Sequence, residues 1–301
     1  MRGVRIYRGA IRWSLLLKPV FSMTKESVKF KAGIVMLVPV LILGLLSIFS
    51  PIYYKSWYFF PKDLPPSLSS VDLFLGTTSN GRSVFWATSN AILNSLVIAI
   101  LTTLIASHLG LFIGIIAGYR GGLIDRTLMF ITDSFVVIPS LPLLIILSML
   151  LKEYLTLPLL SILISITSWP WPARQVRAIV VSLREREYIP IAMLSGLSYS
   201  KIVFKEIMPH LMGWHLINAT NTVLYAIGSE VGLSILGLSI LSEDTLGTMI
   251  YWSILGYGAL FRGIWWWASP PIIITIIIFT ALYLISTSIA EKIEPKLRWI
   301  R

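Results

Sequence analysis

Six runs of apolar residues, each about as long as a membrane is thick, constrain this chain more than any other feature. They fall at roughly 32–53, 92–118, 127–150, 155–172, 211–238 and 266–290. A helix rises 1.5 Å per residue, so about 20 residues cross the about 30 Å of hydrocarbon in a bilayer. The fourth run is the shortest and the fifth the most polar. Only 13% of the 301 residues are charged, against roughly 25% in soluble proteins. That is too few to cover a soluble surface of this size. The expected fold class is an all-α integral membrane protein with six transmembrane helices.

The net charge is +11. In a soluble chain it would point to nucleic acid; here its distribution points to topology. With the N-terminus in the cytoplasm, the inner segments hold Arg2, Arg5, Arg8, Arg12, Lys18, Lys25, Lys29, Lys31, Arg120, Arg126, Arg174, Arg177, Arg184, Arg186, Lys201, Lys205, Lys292, Lys296, Arg298 and Arg301. The outer loops hold only Lys55, Lys62, Arg82, Lys152 and Arg262. Basic residues concentrate on the cytoplasmic side of membrane proteins, so both termini are expected inside a cell membrane. The first run follows a basic leader and lacks a small-residue cleavage exit, so it reads as a retained anchor. The leader is either an amphipathic surface helix or a solvated tail. The expected organisation is a basic segment 1–31, a transmembrane domain 32–290 with an outer loop 54–91 and a cytoplasmic segment 182–209, and a tail 291–301. Trp57, Tyr58, Trp169, Trp171, Trp265, Trp266 and Trp267 lie where interfacial anchors belong.

The segment 182–211, SLREREYIPIAMLSGLSYSKIVFKEIMPHL, is charged yet lies between two apolar runs. Ile189, Ala192 and Met193 recur at helical spacing before Gly196; Val203, Phe204, Ile207 and Met208 do so after it. Gly196 permits a sharp turn, and Pro209 marks re-entry into the membrane. The expected form is a helix, a turn and a second helix beneath the membrane. Its apolar stripe packs on the protein's own spans or inserts into a partner's groove.

This stretch resembles the coupling loop of ABC importer permeases, the Glu-Ala-Ala-x-x-x-Gly motif. Ala192, Gly196, Ile207, Met208 and Pro209 fall on the pattern, whereas Pro190 and Ile191 replace the motif's Glu and first Ala. Further likenesses are Ser168-Trp169-Pro170-Trp171-Pro172-Ala173-Arg174, Arg184-Glu185-Arg186-Glu187-Tyr188, Gly76-Thr77, Gly81-Arg82-Ser83-Val84, Ala117-Gly118-Tyr119-Arg120-Gly121-Gly122, Asp133, Pro139-Ser140, Leu233-Ser234-Ile235-Leu236-Gly237-Leu238 and Glu294-Pro295-Lys296-Leu297-Arg298. Over residues 25–301 they resemble the C-type subunit of oligopeptide/dipeptide importers, in the peptide/nickel family. Ala87-Thr88 departs from that family's usual Ser-Arg.

The resemblance implies a type I ABC importer permease fold. It implies a coupling helix, carried by Glu187, Pro190, Ala192, Gly196, Leu197, Ser198, Ile207 and Pro209, that docks on a separate ATPase. It also implies a second, unlike permease, an extracellular substrate-binding protein and peptide cargo, with oligosaccharide or nickel as alternatives. ATP and Mg would be bound by the partner ATPase. The chain itself has no G-x-x-x-x-G-K-[ST] phosphate loop, so no cofactor is expected in it.

Within the fifth run, Asn218, Asn221, Tyr225 and Ser229 share one helix face. They either line a translocation path or bond neighbouring helices. Glu230 beside them is assigned to the same path and is expected to see water, because a carboxylate in a span is costly away from it. Asp133 is expected to cap a helix or to pair with Arg174 or Arg177. His108 is expected to bond a neighbouring helix. Gly114, Gly118, Gly232 and Gly237 read as close-packing positions. Cysteine is absent and the three histidines make no metal cluster. No G-x-S-x-G or paired intramembrane carboxylates occur, which excludes the usual membrane enzymes. An ATP-independent, ion-coupled carrier remains the alternative, although no repeat is evident.

Overall fold

A computed structural model describes residues 27–293. The leader residues Arg2 to Lys25 and the Glu294-Pro295-Lys296-Leu297-Arg298 motif lie outside the described residues. Among the described residues the chain is helical, with one isolated bridge, Thr77 to Ser83.

Helix α1 (Val28–Leu46) starts at Ser27, whose Oγ accepts from the Phe30 N–H at 3.3 Å. It packs against the final helix, α11 (Trp265–Ile293), so closely that a Cβ on Gly33 would lie 2.7 Å from the Ala281 carbonyl. Helix α2 (Val84–Arg120) has 37 residues, about 55 Å at the ordinary rise. It starts well before the expected 92–118 run, because Ser83 caps it by accepting from Trp86 N–H. Gly121 and Gly122, both at positive φ, turn the chain into α3 (Gly122–Val137).

The expected span 127–150 is not one rod. Pro139 has no N–H and pushes Ile138 into an extended conformation (ψ 123°). Helix α4 (Ser140–Leu150) therefore leaves α3 at 84°. The fourth run forms α5 (Leu157–Ser168), which leads through Trp169 into α6 (Pro170–Arg184). The Ala173 N–H reaches the Trp169 carbonyl at 3.2 Å, so helical bonding continues across the junction. The short helices α7 (Tyr188–Leu194) and α8 (Tyr199–Ile202) follow. A π-turn over Val203–Ile207 joins α8 directly to α9 (Met208–Ile235). The helix expected after Gly196 is thus continuous with the fifth run, and Pro209 sits directly after the π-turn, whose wider winding accommodates a residue without an N–H. After Gly237 come α10 (Leu246–Tyr251) and a π-turn over Trp252–Gly256.

Among the described residues, three helices are long and apolar enough to cross a membrane, or four if the bent α3–α4 pair is one span. Residues 157–184 and α9 carry more polar groups. The two largest apolar clusters among the described residues run through the bundle. One gathers Ile92, Leu144, Leu160, Leu233, Leu246 and Ile278. The other gathers Leu111, Ile115, Val176, Val180, Ile189 and Ile207.

The seam between α2 and α6 is the tightest in the bundle. A Cβ on Gly110, Gly114 or Gly118 would lie 2.6–2.8 Å from the carbonyls of Trp169, Ala173 and Arg177 respectively. Glycines four apart on one helix thus face carbonyls four apart on the other, which is what close backbone approach requires. Arg174 and Arg177 then tie α6 to α3 through Asp133 and Asp125, each at 2.6 Å. In the loops read as outer, Arg82, Arg262 and Lys55 pair with Asp244, Asp63 and Glu243. Trp169 and Trp267 are buried, not interfacial, while Trp171 and Trp265 are exposed. Neighbouring residues on a helix point about 100° apart, so a run of tryptophans cannot all face one medium.

Candidate coupling segment and polar cleft

The segment after α6 is rooted in the bundle by alternate faces of two short helices. Glu187 is exposed ahead of α7, and Pro190 occupies its first turn, where an absent N–H costs nothing. Helix α7 ends at Gly196, whose φ is +76°. The Gly196 N–H donates to the Met193 carbonyl at 3.0 Å and the Leu197 N–H to the Ala192 carbonyl at 3.2 Å. This paired closure needs a left-handed residue at position 196. A Cβ there would meet nothing within 4 Å, so the requirement is conformational and not one of packing. Ser198, extended and exposed, opens α8.

Ile189, Ala192, Ile202, Val203, Ile207 and Met208 are buried against α2 and α6. Pro209 is buried beside them. Met193 and Phe204, expected on the same stripe, are exposed. With Ile191 and Leu194, the latter 89% exposed, Met193 makes an uncovered apolar patch on α7. Burial pushes the Tyr188 phenol above its ordinary range, and its hydroxyl finds no partner among the described residues.

The fifth-run polar face opens onto two adjoining clefts. Asn218, Asn221 and Tyr225 line one of about 300 Å³ with Ser140, Thr167, Ser168 and Trp171. Tyr225 and Ser229 line the other, about 420 Å³, with Leu141, Leu144, Gly228 and Phe279. The same residues also bond other helices. Asn218 Nδ2 donates to Ser107 Oγ at 3.1 Å, Ser286 Oγ to Asn221 Oδ1 at 3.3 Å, and the Tyr225 hydroxyl lies 3.2 Å from Thr167 Oγ1. Lining and bridging, alternatives in the sequence, coincide here. Neither cleft carries a charged or imidazole side chain.

Glu230 corrects the expectation of a water-lined position. It is fully buried, turned toward α10 and away from the clefts. Its Oε1 accepts from Ser234 Oγ at 2.7 Å, Ser239 Oγ at 3.2 Å and Thr245 Oγ1 at 2.6 Å. Thr245 is the N-cap of α10, locked in a reciprocal capping box with Thr248. The carboxylate therefore fastens the start of α10 to α9. Three hydroxyl donors stand at Oε1 where the sequence led one to expect water, while Oε2 is buried with no hydrogen-bond partner among the described residues.

Asp133 pairs with Arg174, as expected. His108 makes a ring contact with His215 (4.9 Å between centroids), but its Nδ1 has no hydrogen-bond partner. Among the described residues, no group of three or more His, Asp or Glu side chains could hold a metal ion. Gly237 is a positive-φ helix terminus where a Cβ would only come into ordinary contact with Tyr251, and Gly232 touches little. Ser140, Thr167, Ser168 and Trp171 were not legible as site residues, since they come from three other helices. Gly110 was legible, four residues before Gly114.

Long apolar helices around uncharged clefts, apolar over most of their walls and edged by hydroxyls and amides, are the features of an integral membrane protein. Residues 110–299 match the family model described as binding-protein-dependent transport system inner membrane component. The oligopeptide transport system permease protein of Bacillus subtilis is 32% identical over 273 residues, 89% of this chain and 87% of its own. The oligopeptide transport system permease protein of Mycobacterium tuberculosis is 32% identical over 65% of this chain and 72% of its own. The nickel transport system permease protein of Escherichia coli is 33% identical over 59% and 64%. The chain belongs to the binding-protein-dependent transport system inner membrane component family. It is an ABC importer permease of the peptide/nickel group, a membrane subunit that is not itself catalytic.

Proposed function

We propose that this chain is one of two unlike permeases in an ATP-driven importer and forms half of a path for peptides. Six spans cross the cell membrane within residues 32–290, with both termini cytoplasmic. Residues 155–172 and α9 supply the two remaining spans, and the rest of α6 runs on into the cytoplasmic segment. Helix α7 and the Gly196 turn form the coupling helix. The observation that carries this reading is the division of α7: Ile189 and Ala192 are sunk into the bundle, while Ile191, Met193 and Leu194 stand uncovered beside Gly196. One face is anchored to helices that must move, and the other is open to something that moves them. Partner ATPases hold ATP and Mg, and an extracellular binding protein delivers cargo. The path face is Asn218, Asn221, Tyr225 and Ser229, with Glu230 bracing it from behind.

Relatives are named for both oligopeptide and nickel transport. Sites for nickel use imidazole, thiolate or other defined ligands. Both clefts lack carboxylate, imidazole and sulfur, whereas hydroxyls and amides suit a peptide backbone. That favours peptide over a bare metal ion.

The test is mild detergent extraction from the native membrane, affinity capture of this chain, and mass spectrometry of what accompanies it. A second permease, an ATPase with a phosphate loop and a binding protein are expected. The ligand retained by that binding protein then reads the cargo as peptide, nickel or sugar. A chain that arrives alone and moves solute in vesicles without ATP refutes the proposal in favour of an ion-coupled carrier.

A further inference from the structure

The larger cleft owes its room to a residue type. On α9, Asn221, Tyr225, Gly228 and Gly232 recur at steps of four, three and four, which keeps them on one face. A glycine inside a helix costs about 1 kcal/mol relative to alanine, so its presence needs a reason. On α2 the reason is close approach. On α9 it is not: a Cβ on Gly228 would meet only the Phe279 ring, at 3.5 Å, and one on Gly232 only Leu141, at 4.0 Å. Neither has positive φ. What the missing side chain at Gly228 leaves is open space between α4, α9 and α11. That space is the 420 Å³ cleft, within the about 300–1,000 Å³ range of small-molecule sites.

Tyr225, one turn earlier, lines both clefts, as does Ser140. The Thr167 hydroxyl hydrogen is used toward the Ile164 carbonyl at 2.9 Å. The Tyr225 phenol is therefore the donor to Thr167 Oγ1, and the bond holds the ring at the boundary between the clefts.

We infer that Gly228 sets the bore of this half of the path and Tyr225 divides it, so that together they select cargo by size. This rests on the transport reading above. Gly228→Ala is tolerated, because 3.5 Å is ordinary contact. Gly228→Leu narrows the cleft without straining the backbone and excludes bulky cargo.

The chain has no cysteine, which makes the test clean. In the assembled importer, Gly228→Cys and Gly114→Cys are each exposed to a charged, membrane-impermeant thiosulfonate. Rapid labelling at position 228 and none at 114 is expected, since Ala173 and Val176 cover the latter. Uptake of a labelled tripeptide and a labelled hexapeptide is then measured in vesicles carrying Gly228→Leu. Hexapeptide uptake is expected to fall about tenfold or more, since one methylene is already worth about that and leucine adds four carbons, with tripeptide uptake reduced less and the partner permease still co-purifying. An unreactive Gly228→Cys overturns the inference. So does loss of the partner permease from Gly228→Leu, which would make this face a helix–helix interface, and so does an equal loss of both peptides. If the unaltered importer takes up neither peptide, the peptide reading falls, while the labelling contrast still decides whether Gly228 faces an open path.

Discussion

Gly114→Ala places a methyl group in the tightest seam of the bundle. The new Cβ would lie 2.6 Å from the Ala173 carbonyl and 2.6 Å from Val176 Cβ, where ordinary contact begins near 3.4 Å. The helices must part by about 0.8 Å there, and a gap of 0.5–1 Å forfeits roughly a quarter to a half of each dispersion contact along the seam. Overpacking of this kind costs about 1–3 kcal/mol, and the better helix propensity of alanine returns about 1 kcal/mol. The net loss is about 1 kcal/mol for alanine and larger for Gly114→Leu. The assay is the temperature at which half of the purified, detergent-solubilised protein loses its monodisperse peak. Gly228→Ala serves as the control: same residue change, same kind of helix, open space. A lower midpoint for Gly114→Ala and an unchanged or higher one for Gly228→Ala are expected. Shifts of the same sign and size at both positions would refute the distinction between a contact glycine and a space glycine.

Gly196→Val forces a β-branched residue to φ +76°, costing about 1–2 kcal/mol locally, and is expected to leave the protein in the membrane while ATP hydrolysis no longer drives uptake; transport equal to wild type removes the coupling role. Glu230→Leu strips three hydroxyls of their acceptor and is expected to destabilise by about 3 kcal/mol or more, whereas Glu230→Gln keeps one acceptor oxygen and costs less; proteolysis between residues 236 and 246 reads the loosening of α10, and equal resistance in both variants contradicts the anchor. Arg174→Ala breaks a half-exposed pair with Asp133 and is expected to cost no more than about 1 kcal/mol, a loss that the midpoint assay would show if it were larger. Leu194→Asp on the uncovered face of α7 is expected to weaken ATPase co-purification without altering the midpoint; retention of the ATPase at wild-type level argues against docking there.

Composition and apolar run length were enough to establish an all-helical membrane protein, because the shortage of charge and the length of each run are properties of the chain alone. Local conformational demands were legible for the same reason. Gly196 announced a turn, whereas the break at Pro139 went unread inside the run 127–150, and its 84° angle depends on what α4 packs against. Spacing could place Asn218, Asn221, Tyr225 and Ser229 on one face, but not say that they both line clefts and bridge helices. Glu230 looked like a residue that must see water; only the fold brings Ser239 and Thr245 from beyond the helix end to take water's place. Gly114 and Gly228 are the same letter in equally apolar surroundings. One meets a carbonyl and the other meets space, a difference set by which helix lies opposite. Contact between helices distant in sequence is a property of the packed bundle, and no single run of residues contains it.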